Sequence, residues 1–303
     1  MMRRNGIVIL GILLSWGMLT AQETIGFSKS SKSLAAHKNC SHDEVGRAPK
    51  KLILRSASAL VEDQQTGELL VQKQAEAVLP IASITKLMTA MVVLDAQMDL
   101  HESITITRED VDTLRHSRSR LQLGTSITRG EALQLALMAS ENRAAHALGR
   151  TYPGGIDAFV AAMNVKAQLL GLIDAHFEDP AGISSGNVAS ARDLARMVDA
   201  AYRYPLVREF TTCKKARIRT GRRTLEFHNS NLLIRSPRWQ IGLSKTGYID
   251  ESGRCLVMQA NLAQRPVLIV LLDAQGRLSR FGDANRIKQW MEGSQQSRRK
   301  RKA

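Results

Sequence analysis

Apolar and polar positions along the chain follow two periods, and each change of period marks an element. Between Ser56 and Gln72, the runs Ala57-Ser58-Ala59-Leu60-Val61 and Leu69-Leu70-Val71 flank a polar turn from Asp63 to Gly67, which predicts a β-hairpin. From Ile84 the spacing becomes helical. Ile84, Leu87, Met88, Met91 and Val92 recur at three- and four-residue steps and form one buried stripe, with Pro80 just upstream where a helix would begin. Ile104-Thr105-Ile106-Thr107 follows, and Arg108-Glu109-Asp110 opens a short helix. A capping box of Thr128 and Glu131 starts the next helix, whose Ala132, Leu133, Leu135, Ala136 and Leu137 lead into Ser140-Glu141-Asn142. Ile156, Phe159, Val160, Met163, Ala167 and Leu170 define a third helix ending near Gly171. A fourth starts at Ser190 with Asp193 as its partner and buries Leu194, Met197, Val198 and Ala201.

After Pro205 the pattern changes to short runs separated by turn signals. Leu243 to Tyr248 precedes Cys255 to Ala260, and Pro266 to Leu272 is a continuous run of β-branched and leucine residues, the strongest strand signal in the chain. A last helix is expected over about Asp283 to Met291. No internal repeat is visible. Helices set between an N-terminal hairpin and C-terminal strands predict an α/β fold with a mainly antiparallel sheet covered by helices.

Composition narrows the class. The 303 residues are 44% hydrophobic and 23% charged, as in a soluble globular protein, and the 4% aromatic content gives little material for stacking platforms. Arg3 and Arg4 precede an apolar run from Ile7 to Leu19 that is too short to span a bilayer comfortably, and Thr20-Ala21-Gln22 closes it. Residues 1–21 are therefore expected to be a signal peptide cleaved near Ala21. Residues 22–48 read as a flexible polar leader, 49–293 as one catalytic domain and 294–303 as a basic tail. The net charge of +15 falls to +13 once Arg3 and Arg4 are removed. An exported protein this basic favours polyanionic surroundings, such as cell-wall polymer or anionic headgroups. Nucleic acid is not an expected partner, since export separates the two.

Cys40, Cys213 and Cys255 fall in an oxidising compartment, with Cys213 and Cys255 the expected pair. The spacing of His37, Cys40 and His42 fits no structural zinc pattern, and none of the seven histidines makes a ligand pair, so no metal or other cofactor is expected. The tail Arg298-Arg299-Lys300-Arg301-Lys302 has no apolar face, and reads either as a solvated end or as a contact to an anionic wall or membrane surface.

The candidate chemistry begins with Ser83 and Lys86. Residues three apart share a helix face, so the Lys86 amine can reach the Ser83 hydroxyl. A serine in a first helical turn also lies among free backbone N–H groups, which favour developing negative charge. One such pair is commonplace. Ser140-x-Asn142 and Lys245-Thr246-Gly247 follow it in order, at a helix end and in a strand, and together the three resemble the penicillin-reactive serine acyltransferases.

The resemblance extends to Phe177 through Gly182, Asn187 through Ala195 and His228 through Leu233, which look like the low-molecular-mass D-alanyl-D-alanine peptidases. Leu243 through Asp250, with Gly253 through Val257, is most similar to the endopeptidases of the penicillin-binding protein 7 type. It implies the penicillin-binding-protein and serine β-lactamase-like fold with an inserted helical subdomain. It also implies peptidoglycan stem-peptide cross-links as substrate, β-lactams as covalent inhibitors and a periplasmic location.

The implied roles are consistent with the residue chemistry. Ser83 is the nucleophile, and Lys86 is its base once burial and the charge of Lys245 lower its pKa. Ser140 relays a proton to the leaving amine, and Asn142 orients Lys86 or a substrate amide. Lys245 and Thr246 bind a substrate carboxylate, Gly247 permits close approach, and the N–H groups of Ser83 and Tyr248 form the oxyanion hole. Glu141 is expected to make a local ion pair or face solvent. A β-lactamase is disfavoured, because Glu178 is followed at the fourth position by Gly182 where the deacylating segment would have Asn. A carboxypeptidase shares all three triplets but usually adds a further domain and an amphipathic anchor, so an endopeptidase is the first expectation. A non-catalytic receptor for wall fragments is the reading from another class.

Overall fold

The computed structural model describes residues 52–220 and 223–302, with side chains as far as Ser294. The signal segment, the polar leader and Cys40 lie outside the described residues. The described residues belong to one compact unit.

Strands β1 (Ser56–Asp63) and β2 (Leu69–Lys73) form the expected hairpin. Two short pairs follow in sequence: β3 (Leu79–Pro80) pairs with β6 (Val188–Ala189), and β4 (Ser103–Thr105) with β5 (Ser126–Thr128). Between and after them run α1 (Lys86–Asp95), α2 (Arg129–Met138), α3 (Asn142–Arg150), α4 (Gly155–Leu169), α5 (Ala191–Tyr202) and α6 (Pro205–Thr212). A second hairpin, β7 (Lys215–Thr220) with β8 (Arg223–His228), leads to β9 (Gln240–Ile249), β10 (Gly253–Leu262) and β11 (Arg265–Ala274). The chain then enters α7 (Ser279–Lys302). The main sheet has the order β2-β1-β11-β10-β9 and is antiparallel throughout, so β9 is an edge strand.

Alternation along β11 sorts its side chains between two cores. Leu268, Val270 and Leu272 face the helical layer, while Val267, Ile269 and Leu271 face Phe281, Ala284, Ile287 and Met291 of α7. Burial on both faces explains why the run from Pro266 is continuously apolar rather than alternating. Each such side chain contributes about 1.5–3 kcal/mol relative to exposure. The two caps read from sequence are present: Thr128 Oγ1 accepts from Glu131 N at 3.1 Å, and Ser190 Oγ accepts from Asp193 N at 3.2 Å.

Four local expectations need correcting. The predicted single stripe of α1 is buried all round, from Lys86 to Val93, because helices and sheet enclose it. The last helix starts at Ser279 rather than Asp283, and its backbone stays helical through Lys302, past the expected start of the tail. Asp283 serves a tertiary purpose, accepting from Ser56 N at 2.7 Å and Ser56 Oγ at 2.6 Å. Cys213 and Cys255 are both free thiols. The Sγ of Cys255 donates to Ser252 O at 3.4 Å inside the core, where burial pushes the thiol up to about 11, while Cys213 donates to Lys215 O at 3.1 Å.

Candidate active site

The nucleophile candidate does not open an α-helix. Ser83 sits in a 3-10 turn, Ala82–Thr85, and Lys86 is the first residue of α1. Ala82 adopts φ +46°, a strained value for a residue with a side chain, and the Thr85 hydroxyl clasps its carbonyl at 2.7 Å.

A loop from Glu178 to Asn187 fixes this turn from outside. The Asp179 carboxylate accepts N–H groups from Ala181 and Gly182 at 2.7 Å and from Ser184 at 2.8 Å, which winds the loop around one side chain. Asn187, fully buried, accepts from Glu178 N at 2.8 Å and donates to Asp179 O at 2.8 Å and to Thr85 Oγ1 at 3.0 Å. Its carbonyl accepts from Ile81 N at 2.9 Å. Gly182 packs so close that a Cβ would lie 2.0 Å from Ala82 O.

These constraints aim the Ala181 carbonyl at the site. Lys86 Nζ donates to Ala181 O at 2.6 Å, Ser83 Oγ at 2.7 Å and Asn142 Oδ1 at 2.7 Å. Asn142 Nδ2 donates in turn to Ser117 Oγ at 2.8 Å. A second chain of contacts lies beside the first. Lys245 Nζ donates to Ser140 Oγ at 2.7 Å, and Thr246 Oγ1 donates to Ser230 Oγ at 2.8 Å. Gly247 lies against the nucleophile's turn: a Cβ there would stand 2.8 Å from Ile81 O and 3.3 Å from Ser83 N. Tyr248 follows on the same edge strand, and a cleft of about 240 Å³ is lined by Ser83, Asn142, Gly182, Ile183 and Tyr248 among others. Ser83, Lys86 and Asn142 thus fall in the first group and Ser140, Lys245 and Thr246 in the second, with Gly247 against the nucleophile's turn and Tyr248 on the lining of the cleft.

Burial of both lysines sets the electrostatics. Lys86 is lowered to about 7 by desolvation, against the opposing charges of Asp179, Glu141 and Asp112. Lys245 is also driven well below its ordinary value, by burial first and then by the charges of Lys86 and Arg280. Desolvation is the largest cause at both amines, and the repulsion between them acts against either one being charged while the other is. Glu141 is buried rather than facing solvent, and joins no ion pair among the described residues. It caps α3, accepting from Arg143 N at 3.3 Å, and burial raises its pKa.

Sequence reasoning missed Ser117 and Arg280 altogether, and saw Asp179, Ala181, Asn187 and Ser230 only within stretches of resemblance, with no role in the site. Arg280 lies in the first turn of α7, 7% exposed, with Nε and Nη1 lacking a hydrogen-bond partner among the described residues. Burial and Arg254 lower its pKa to about 10. Among the described residues, no three His, Cys, Asp or Glu side chains are grouped so as to hold a metal ion.

A serine in a 3-10 turn, bonded to the buried lysine that opens the next helix and faced by an edge strand of an antiparallel sheet between helical layers, defines an active-serine acyltransferase. The chain belongs to the D-alanyl-D-alanine carboxypeptidase family (peptidase family S11), whose model matches residues 45–276. It is 44% identical over 267 residues to a D-alanyl-D-alanine endopeptidase of Pseudomonas aeruginosa, covering 88% of this chain and 86% of that one. With a D-alanyl-D-alanine endopeptidase of Escherichia coli it shares 41% identity over 241 residues, covering 79% and 78%. The crystal structure of the Streptomyces K15 DD-transpeptidase superposes with a TM-score of 0.72 at 27% identity, covering 78% of this chain and 97% of that one.

Proposed function

We propose that the protein is a D-alanyl-D-alanine endopeptidase that hydrolyses the D-alanyl cross-links of peptidoglycan through an acyl-enzyme on Ser83. The observation that carries this reading is the set of three contacts at Lys86 Nζ. A neutral lysine has two N–H donors and one lone pair. Donating to Asn142 Oδ1 and Ala181 O leaves the lone pair facing the Ser83 hydroxyl 2.7 Å away. With its pKa lowered to about 7, Lys86 is neutral in a substantial fraction of molecules at neutral pH.

In the acylation step the Ser83 O–H proton moves to Lys86 as Oγ bonds the D-alanyl carbonyl carbon. The N–H groups of Ser83 and Tyr248 hold the oxyanion. Collapse breaks the C–N bond, Ser140 hands its proton to the departing amine, and the proton that Lys86 took from Ser83 replaces it, so that Lys86 is neutral again. Water then attacks the ester and gives a proton to Lys86, and that proton passes to Ser83 Oγ as the ester C–O bond breaks. Lys245 and Thr246 receive a carboxylate of the substrate. A docked carboxylate raises the pKa of Lys245 again, so its charge is restored when ligand is present.

β-Lactams acylate the same serine. Glu178 is exposed on the loop surface and does not supply a deacylating base, so release of the penicilloyl group is slow. The basic composition and N-terminal pattern support export to the periplasm, with cleavage near Ala21 and contact of the basic tail with an anionic wall or membrane surface. Residues 49–293 then form the peptidase domain. Incubating the mature protein with cross-linked muropeptide dimers and pentapeptide monomers tests the reading: dimers should be converted to monomers. Release of free D-alanine alone marks a carboxypeptidase, and no turnover overturns the enzyme.

A further inference from the structure

The β7–β8 hairpin carries charge that the chemistry at Ser83 does not use. Along β7, Ala216 and Ile218 are buried while Lys215, Arg217 and Arg219 are exposed, and β8 opens on exposed Arg223. Glu226 is the only acid between Glu209 and Asp250. It is shared by Arg217 Nε at 2.9 Å, His228 Nε2 at 3.5 Å and Lys215 Nζ at 3.6 Å. Arg219 and Arg223 have no ion pair among the described residues. One carboxylate therefore leaves a strong excess of positive charge on the hairpin.

The root of the hairpin is fastened to the active site. Asn229 N donates to Lys214 O at 3.0 Å, Ser230 N donates to Met138 O at 3.0 Å, and Thr246 Oγ1 donates to Ser230 Oγ at 2.8 Å. The row of cations thus starts within two residues of the contact to Thr246, on the side of the site that holds Ser140 and Lys245. From Lys215 to Arg219 it extends about 13 Å at strand rise.

The proposed chemistry requires something of this side. A carboxypeptidase releases one D-alanine there, but hydrolysis of a cross-link releases an amine that belongs to a second stem peptide. That peptide is several residues long and carries free carboxylates. We propose that the exposed face of β7–β8, through Lys215, Arg217, Arg219 and Arg223, docks the acidic peptide on the leaving side of the cross-link and so favours cross-linked over single-stem substrates. The inference rests on the endopeptidase reading above. An anionic lipid surface is the weaker fit, because the exposed positions of the hairpin are polar and offer no large apolar side chain for insertion.

The test uses the full mature chain and the triple variant Arg217→Gln/Arg219→Gln/Arg223→Gln, which changes only exposed charge. Three measurements are compared: kcat/KM on a cross-linked muropeptide dimer, D-alanine release from a pentapeptide monomer, and the rate of acylation by benzylpenicillin. The expected result is a fall of about tenfold on the dimer, with the other two unchanged within about twofold. Amidating the carboxylates of the leaving-side peptide should lower the unmodified protein to the level of the variant. Equal loss on dimer and monomer, no loss on either, or reduced binding to anionic phospholipid vesicles with normal dimer cleavage would each overturn the inference. If the unmodified protein does not cleave the dimer at all, the endopeptidase reading itself fails, a result distinct from these.

Discussion

Lys245 Nζ donates to Ser140 Oγ at 2.7 Å, so the two serines of the site answer to different lysines, Ser83 to Lys86 and Ser140 to Lys245. Both amines are buried and both are pushed below their ordinary pKa. Two buried ammonium charges at one site oppose each other, and an arriving carboxylate relieves the conflict by pairing with one of them. Substrate binding then helps to set the protonation pattern that acylation needs: neutral at Lys86, charged at Lys245.

The pH dependence of acylation follows from this arrangement. Burial lowers Lys86 to about 7, and only its neutral form accepts the Ser83 proton. The rate of labelling by fluorescent penicillin should rise with pH through about 7 and level off above it. A rate already flat from pH 5 upward would show that a group other than Lys86 is the base. Ser83→Ala should lose all labelling. Lys86→Ala should lose most of it, by about a hundredfold or more, the range of a missing general base.

Gly247→Ala tests the spacing between β9 and the nucleophile's turn. The added Cβ would stand 2.8 Å from the rigid Ile81 carbonyl and 3.3 Å from Ser83 N, so strand or turn must shift. A displacement of a few tenths of an ångström at Ser83 N disturbs the oxyanion position directly. Acylation should slow by at least about tenfold, since a lost oxyanion donor costs more than that. The far-UV circular dichroism should stay unchanged, because the rest of the sheet keeps its register.

How much of this was legible in the sequence depends on how local each signal is. The capping box at Thr128, the N-cap at Ser190 and the three triplets are contiguous runs whose chemistry can be read within four residues. The Ala181 carbonyl cannot be read that way: a backbone oxygen has no side-chain signature, and it meets Lys86 across 95 positions. The fold of α1 was misjudged for a related reason. Its periodic stripe is real, but tertiary neighbours bury the other faces too, and those faces carry Ala90 and Thr89, which period alone reads as outward. Counting cysteines gave a pair that geometry does not form, because parity carries no information about where two thiols point.

Asn187 joins the loop that presents Ala181 to the turn that presents Ser83, and Asn187→Ala removes its side-chain contacts at once. Glu178 N and Thr85 Oγ1 lose buried partners, which destabilises the fold by about 2–4 kcal/mol. For a domain of this size the melting temperature should fall by roughly 5–15 °C. Acylation by penicillin, measured well below the melting point, should also slow. A variant that loses stability but acylates at the normal rate would make Asn187 purely structural.

Arg280 is the residue for which stability and function should separate. Its guanidinium is buried 4.6 Å from the Phe281 ring centroid, yet Nε and Nη1 find no hydrogen-bond partner among the described residues, so desolvation offsets much of what the ring contact contributes. Its charge does reach the site, adding to the burial and the Lys86 charge that lower Lys245. Arg280→Met keeps the length and apolar contacts of the side chain but removes the cation. The melting temperature should hold steady or rise. Positive potential for a substrate carboxylate beside Lys245 should weaken, so KM for peptide substrates rises by about tenfold while kcat changes much less. Because the removed charge had opposed protonation of Lys245, that amine should titrate at higher pH in the variant. A variant that melts well below the unmodified protein, with KM unchanged, would place Arg280 in the core packing alone and leave carboxylate recognition to Lys245 and Thr246.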